Sequence, residues 1–195
     1  MKYQVREKIF RLGEDNDILN EAGQPVLQVD GKVFSLRGVM IVNDLAGNEV
    51  GQVSRKLVSL LATYDISLTG GVSAEVHQRF SGPFHPKWTI SVTGGADMEM
   101  TGNFAGHDFI LTENGQTVAT VSKAWISLAD SYGVDIVDGQ NDLLILCSVL
   151  ALEAEPCSPE EAYLNCVRAI VHSQARGITR RQLVKFCAAT LATLA

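Results

Sequence analysis

The chain has 195 residues, of which 46% are hydrophobic and 19% are charged, and its mean hydropathy is +0.11. This composition is typical of a folded globular protein and excludes the disordered and fibrous classes. The 22 acidic side chains outnumber the 16 basic ones, for a net charge of -6. That balance argues against a protein that binds duplex nucleic acid through a broad basic face.

Short runs rich in β-branched and aromatic residues follow one another along most of the chain. They lie at residues 3–10, 33–36, 76–80, 88–92 and 98–100. Turn-forming residues separate these runs, and short strands at a spacing of about 8–12 residues are typical of a β-sandwich or β-barrel. The sequence therefore predicts a mainly β fold.

Three segments, around Gly23, Gly47 and Gly115, are similar to one another. They read NEAGQPVLQV, DLAGNEVGQV and TENGQTVATV, and in each the glycine is followed three and six positions later by valine. A lysine and then a Ser-Leu pair follow in all three copies. Glycine beside Asn or Asp supplies the positive φ angles that a tight turn needs. We therefore predict three related hairpins, and an internal repeat whose two halves join near residues 67–75.

The most apolar stretch, LLILCSVLAL at residues 143–152, lies between Asp142 and Glu153. Crossing a bilayer takes about 20 residues, so this stretch predicts a buried element and not a membrane span. Asn141 or Asp142 is suited to cap a helix here. A helix that is apolar on every face has to be surrounded on every side, and its length of about 15 Å suits the interior of a small barrel. The helix is favoured over a central strand, which the same residues would also suit.

The composition changes after residue 154, because residues 155–195 hold 5 basic and 3 acidic side chains and no strand-like alternation. The segment SPEE at 158–161 is typical of a helix start, and TRRQ at 179–182 is typical of a second. We therefore predict two domains, a β-barrel over 1–154 and a C-terminal helical hairpin over 155–195. The hairpin is expected to pack on the barrel or to mediate assembly, in preference to lying on a membrane surface.

Neither the cysteines nor the histidines have the spacing of metal ligands. The four cysteines, Cys147, Cys157, Cys166 and Cys187, contain no Cys-x-x-Cys, and no two histidines form His-x-x-x-His. No nucleophile elbow or phosphate-binding glycine loop is present in the sequence. We predict no catalytic residue, no metal and no cofactor. The first residues lack the apolar run of a secretory signal, so a cytoplasmic protein with free thiols is expected.

Basic residues near the repeated hairpins are the candidates for ligand binding. They are Lys32, Arg37, Arg55, Lys56, Arg79 and Lys123. If the hairpins place them on one face of the barrel, several cations converge on a lipid phosphate. The alternative, which the acidic body favours, is that strand lysines protect sheet edges and pair with neighbouring acids.

Several motifs in order resemble the LURP-one-related family, namely MKYQVREKIF, VDGKVFSLRG, SRKLVSLLATYDI, MTGNFAGHDF and TVSKAWISLADSYGVDI. The resemblance covers about residues 1–152. It implies a closed β-barrel of about a dozen strands around a central hydrophobic helix, a fold that resembles the Tubby C-terminal domain and the phospholipid scramblases. Tubby domains bind membrane phosphoinositides through basic residues, but no enzyme chemistry is implied, and the tail after residue 154 lies outside the family pattern.

Three functions follow from these observations. The leading hypothesis is a non-enzymatic binding or scaffold protein that recognises an unknown protein partner or self-associates through its C-terminal helices. The alternative is a peripheral membrane protein that binds anionic phospholipid or phosphoinositide headgroups. An enzyme whose site is assembled from scattered residues is the least favoured.

Overall fold

The computed structural model describes residues 1–6, 16–30, 39–56, 59, 61–79, 87–104, 106–123 and 131–154. Met1–Ala154 forms one compact unit. The strand predicted at 33–36 and the helical hairpin predicted over 155–195 lie outside the described residues.

The described residues form a closed barrel of twelve antiparallel strands and one helix. Every strand pairs with its neighbours in the chain, and β12 pairs with β1, which closes the ring. The strands are β1 (Lys2–Arg6), β2 (Asn16–Asn20), β3 (Pro25–Asp30), β4 (Val39–Asn43), β5 (Glu49–Arg55), β6 (Thr63–Leu68), β7 (Ser73–Arg79), β8 (Lys87–Val92), β9 (Met98–Asn103), β10 (Asp108–Glu113), β11 (Gln116–Ser122) and β12 (Ser131–Ile136), and the helix is α1 (Asp142–Glu153). The predicted mainly β, closed-barrel fold is confirmed.

Alternation along the strands directs apolar side chains to the inside of the barrel. Tyr64, Val76, Ile90 and Met98 occupy successive pairing positions on β6 to β9, and each is at most 3% exposed. Paired residues in a sheet point to the same face, so these four side chains form one layer of the interior. The outward positions between them hold mainly polar residues.

The helix α1 crosses the interior of the barrel. It packs against β5 and β6 on one side and against β12 on the other, and in a ring of twelve strands β6 and β12 lie opposite each other. From Ile145 to Ala151 every residue is at most 1% exposed, so all faces of the helix are covered. The predicted central hydrophobic helix is therefore confirmed, and the alternative of a central strand is wrong.

Gly51 lets the helix lie close to β5. A Cβ atom at this position would be 3.0 Å from Cδ2 of Leu68 and 3.2 Å from Sγ of Cys147. Both distances are shorter than ordinary van der Waals contact, so any larger residue forces the helix or Leu68 to move. Burial raises the pKa of the Cys147 thiol to about 12, which keeps it protonated and unreactive at neutral pH.

Two polar contacts fix the start of the helix. Oδ1 of Asn141 accepts a hydrogen bond from the backbone N–H of Leu144 at 3.0 Å, so Asn141 is the N-cap. The hydroxyl of Tyr3 donates to Oδ2 of Asp142 at 2.7 Å. Burial and the Asp142 carboxylate raise the pKa of Tyr3 to about 12. The first strand is thereby tied to the first turn of the helix.

The two ends of the barrel differ in their connections. At the tight-turn end, where even-numbered strands finish, connections of 2 to 5 residues join β2 to β3, β4 to β5, β6 to β7, β8 to β9, β10 to β11 and β12 to α1. At the long-connection end, where odd-numbered strands finish, the connections have 7 to 9 residues, except for the 4 residues between β9 and β10. The helix enters at the tight-turn end and runs towards the long-connection end.

The similar segments found in the sequence all form turns at the tight-turn end. Asn20 and Asp44 each accept two backbone N–H hydrogen bonds through Oδ1, at 2.9 to 3.0 Å, from the residues two and four positions later. The third segment differs, because Asn114 and Gly115 form a two-residue turn in which both φ angles are positive, 50° and 78°. The shared sequence pattern thus covers two kinds of turn.

Candidate functional site

Negative charge is concentrated at one end of the barrel. The tight-turn end carries eight carboxylates against one lysine, Lys2, which pairs with Glu21 at 3.6 Å. The eight are Glu21, Asp44, Glu49, Asp97, Glu113, Asp135, Asp138 and Asp142. This end of the barrel is therefore strongly acidic.

The long-connection end has a balance close to even. Among the side chains described there, five cations accompany five carboxylates, Asp17, Asp30, Asp108 and the two that bind Lys56, Asp65 and Glu75. The cations are Arg55, Lys56, Arg79, Lys87 and Lys123. The cations of this end are therefore the candidates for binding an anion.

Four of the six predicted binding residues lie at the long-connection end. Arg55, Lys56, Arg79 and Lys123 lie there because β5, β7 and β11 all finish at this end. The other two, Lys32 and Arg37, lie outside the described residues. The prediction expected convergence on one face of the barrel, whereas the topology places the four described residues around one end.

Lys56 belongs to an ion-pair network on the outer surface. Its Nζ lies 3.1 Å from Oδ1 of Asp65 and also bonds Oε2 of Glu75. Asp65 and Glu75 are directly opposite each other on β6 and β7, so without Lys56 their like charges would repel. The hydrogen bonds to Glu75 and then to Asp65 raise the pKa of Lys56. Lys56 thus follows the acid-pairing alternative, and edge protection is excluded because a closed barrel has no edge strand.

Arg55 has a structural reason for its position. It pairs in register with Tyr64, which is fully buried, so Arg55 lies on the inner face of β5 at the rim of the barrel. The helix ends towards this rim, and the C-terminal end of a helix carries a partial negative charge. A cation at this position complements the helix, whether or not a ligand is present.

Arg79 and Lys87 form an exposed pair of like charges. They are directly opposite each other on the outer surface of β7 and β8, and side chains in such positions have Cβ atoms about 4.5–5.5 Å apart. The neighbouring pair on the same face is His77 and Thr89. Thr89 is paired in turn with Glu99 on β9, so one carboxylate lies diagonally across from Lys87. Within the described part of the chain, neither cation takes part in an ion pair. We call Arg79 and Lys87 the basic rim.

Lys87 was not among the residues predicted from the sequence. Its significance depends on the register between β7 and β8, which places it opposite Arg79. The connection between those strands has 7 residues. The turn types that set the register of a hairpin apply to shorter loops, so the sequence does not show which residues of β7 and β8 are paired. The sequence alone shows only that Lys87 begins the strand-like run KWTISV.

No three His, Cys, Asp or Glu side chains among the described residues come together as a group that could hold a metal ion. The helix found in this part of the chain is too short to reach across a bilayer.

Comparisons with known proteins identify relatives of the barrel. The family model described as LURP-one-related matches residues 1–153, as the sequence motifs predicted. The uncharacterised protein YxjI of Bacillus subtilis (strain 168) is 31% identical over 150 residues, which cover 76% of this chain and 88% of that protein. An X-ray structure of an Arabidopsis thaliana protein has a TM-score of 0.55 at 12% identity, covering 78% of this chain and 89% of that chain. The last similarity concerns the fold alone.

Proposed function

Because the chain belongs to the LURP-one-related family, whose fold does not name an activity, we propose that it is a non-enzymatic binding protein that recognises an anionic partner through the basic rim. The Arg79–Lys87 pair carries this proposal. Two like charges held directly opposite each other cost stability. Repulsion of this kind is expected at a functional site. An anion bound between the two side chains removes the repulsion.

The composition of the described core supports binding over catalysis. Its buried polar side chains are Thr63, Thr89, Ser131 and Ser148, among a large apolar majority. The hydroxyl of Ser148 donates to the backbone oxygen of Leu144 at 2.8 Å, so it is engaged within the helix. The buried Cys147 thiol stays protonated at neutral pH. The charged side chains of the described residues therefore lie on the surface of the barrel.

The proposal is tested by chromatography of the full chain on immobilised heparin, which serves as a polyanion probe. Lys87→Gln and Lys2→Gln form a matched pair, because each removes one lysine charge at a different end of the barrel. We expect Lys87→Gln to elute at lower salt than the unmodified protein, and Arg79→Gln/Lys87→Gln to lose retention. Lys2→Gln should elute with the unmodified protein. Equal elution of the two single variants would remove the basic rim as the binding site.

An anionic phospholipid surface is a second candidate partner, favoured by the concentration of carboxylates at the tight-turn end. The carboxylates of the tight-turn end are repelled by an anionic surface, so the barrel would approach with its long-connection end first. Each cation near such a surface contributes about 1 kcal/mol, so Arg79→Gln/Lys87→Gln should lower partitioning about 30-fold. Co-sedimentation with phosphatidylserine-containing vesicles measures this, and pure phosphatidylcholine vesicles are the control. Equal binding to both vesicle types would exclude the lipid candidate.

A further inference from the structure

A histidine, His77, lies beside the basic rim on the outer surface of the barrel. It is on the same face of β7 as Arg79, two positions before it. Residues rise about 3.3 Å each along a strand, so the two side chains begin about 7 Å apart. That separation is shorter than the screening length of about 8 Å at physiological salt. A charge on His77 therefore acts on an anion bound at the basic rim.

The imidazole ring of His77 is placed so that one nitrogen faces a carboxylate. Its partners in register, Thr63 on β6 and Thr89 on β8, are both buried. The Nδ1 atom of His77 is covered, has no hydrogen-bond partner among the described residues and lies 3.7 Å from Oε1 of Glu75. Oε2 of that carboxylate bonds Lys56, so Oε1 is left for His77.

This arrangement assigns different roles to the two ring nitrogens. An N–H at Nδ1 donates to Glu75 once the two side chains approach by less than about 1 Å, so the carboxylate favours a proton on Nδ1. The second proton of the charged ring then goes to Nε2. Because the His77 side chain is 25% exposed while Nδ1 is covered, the ring is reached by a ligand from its other side.

The charged side chains around His77 balance one another when the ring is neutral. Among the described residues, three carboxylates and three cations surround it, on β6 to β9 and directly after β5. They are Asp65, Glu75, Glu99, Lys56, Arg79 and Lys87. Whichever carboxylate the charged ring pairs with, a proton on His77 adds one positive charge to this surface. The surface therefore changes from neutral to positive when His77 is protonated.

We propose that His77 is a further anion-binding residue beside the basic rim, and that its protonation makes the anion bind more tightly at acidic pH. The inference rests on the proposed function, because it concerns the same basic rim. Histidine is the side chain that ordinarily changes charge between about pH 5 and 8. Exposed carboxylates and lysines keep their charge over that range. The anionic partner is thus bound at acidic pH and released more readily as the pH rises.

Calorimetric titration of the full chain with heparin, at about pH 8 and about pH 5.5, tests this. For the unmodified protein we expect an affinity about fivefold higher at the acidic pH, which is the effect of one added cation near an anionic surface. His77→Gln cannot gain a proton, so its affinity should be the same at both pH values. His77→Lys keeps a charge throughout, so at the higher pH it should bind about as tightly as the unmodified protein does at the lower.

A second histidine supplies the matched control. His107 precedes β10 and has a positive φ angle of 50°, which Asn also tolerates. His107→Asn should keep the pH dependence of the unmodified protein, and far-UV circular dichroism checks that all three variants are folded. Because binding and protonation are coupled reciprocally, heparin should also move the midpoint of the His77 titration, followed by NMR, to higher pH. A histidine with only a structural role would show no such movement.

Three results would overturn the inference: an affinity that does not change with pH, a pH dependence that persists in His77→Gln, or His77→Lys binding no more tightly than the unmodified protein at the higher pH. If heparin binding still depends on Arg79 and Lys87 in such a case, the basic rim stays as the anion site and only the role of His77 is removed. Heparin binding that is independent of Arg79 and Lys87 would overturn the proposed function, and this inference with it.

Discussion

The tight-turn end and the long-connection end of the barrel are made from the same twelve strands, yet they differ in how their polar groups are used. At the tight-turn end, Asn20 and Asp44 accept backbone hydrogen bonds within their turns, and Asn141 and Tyr3 hold the start of the helix. At the long-connection end, two like charges lie opposite each other. The second end also holds the ion pairs of Lys56 with Asp65 and Glu75. Only its Arg79–Lys87 pair gives up stability, and that pair is the better candidate for recognition.

Truncation of a buried side chain in α1, the helix that runs between the two ends, should have the largest effect on stability. Leu146→Ala removes a side chain that is 1% exposed inside the barrel, and such truncations cost about 2–5 kcal/mol. Chemical denaturation measures the loss. A cost below about 1 kcal/mol, near that of a surface change, would mean that the helix does not fill the barrel.

Gly51→Ala tests how closely the helix approaches β5. The added Cβ would be 3.0 Å from Leu68 and 3.2 Å from Cys147, and overpacking of this kind costs about 1–3 kcal/mol. The double variant Gly51→Ala/Cys147→Ala should regain part of the loss, because removing the sulfur makes room. Equal stability of the single and double variants would show that contact with the helix is not the cause.

Loss of the N-cap should have a smaller effect at the tight-turn end. Asn141→Ala removes the acceptor for the Leu144 N–H and is expected to lower the free energy of unfolding by about 1 kcal/mol. Asn141→Asp retains a capping oxygen and serves as the control. Heparin binding by the folded Asn141→Ala protein should be unchanged, since the basic rim lies at the other end.

The Tyr3 hydroxyl gives the tight-turn end a dependence on alkaline pH. Because the pKa of Tyr3 is raised from 10.0 to about 12 in the folded state, its neutral form is favoured by folding. The resulting stability is complete below pH 10 and is lost between pH 10 and about 12. Tyr3→Phe removes one hydrogen bond, worth about 1 kcal/mol. The stability gap between Tyr3→Phe and the unmodified protein should therefore shrink across that pH range, and a constant gap would contradict the assignment.

Neutralising the basic rim should have the smallest effect on stability and the opposite sign. Arg79→Gln/Lys87→Gln relieves the repulsion between two directly opposed cations, so we expect a gain of about 0.2–0.5 kcal/mol. The same variant should lose heparin binding. A loss of stability would instead indicate that the two side chains have structural partners.

The tight-turn end could be predicted from the sequence more fully than the long-connection end. Glycine beside Asn or Asp marks its turns, and an apolar run that follows Asn141 marks a helix covered on all sides, because these signals are local. The ion pairs of Lys56 with Asp65 and Glu75 join three strands, so they depend on register and not on spacing along the chain. Lys87 was missed for the same reason.

Hydrogen–deuterium exchange of the full chain, with and without heparin, tests most directly whether recognition occurs at the long-connection end. We expect slower exchange on heparin binding around residues 77–79 and 87–90, which carry the basic rim, and unchanged exchange in the turn at 44–48 at the opposite end. Protection confined to the tight-turn end, or protection that persists in Arg79→Gln/Lys87→Gln, would contradict the account.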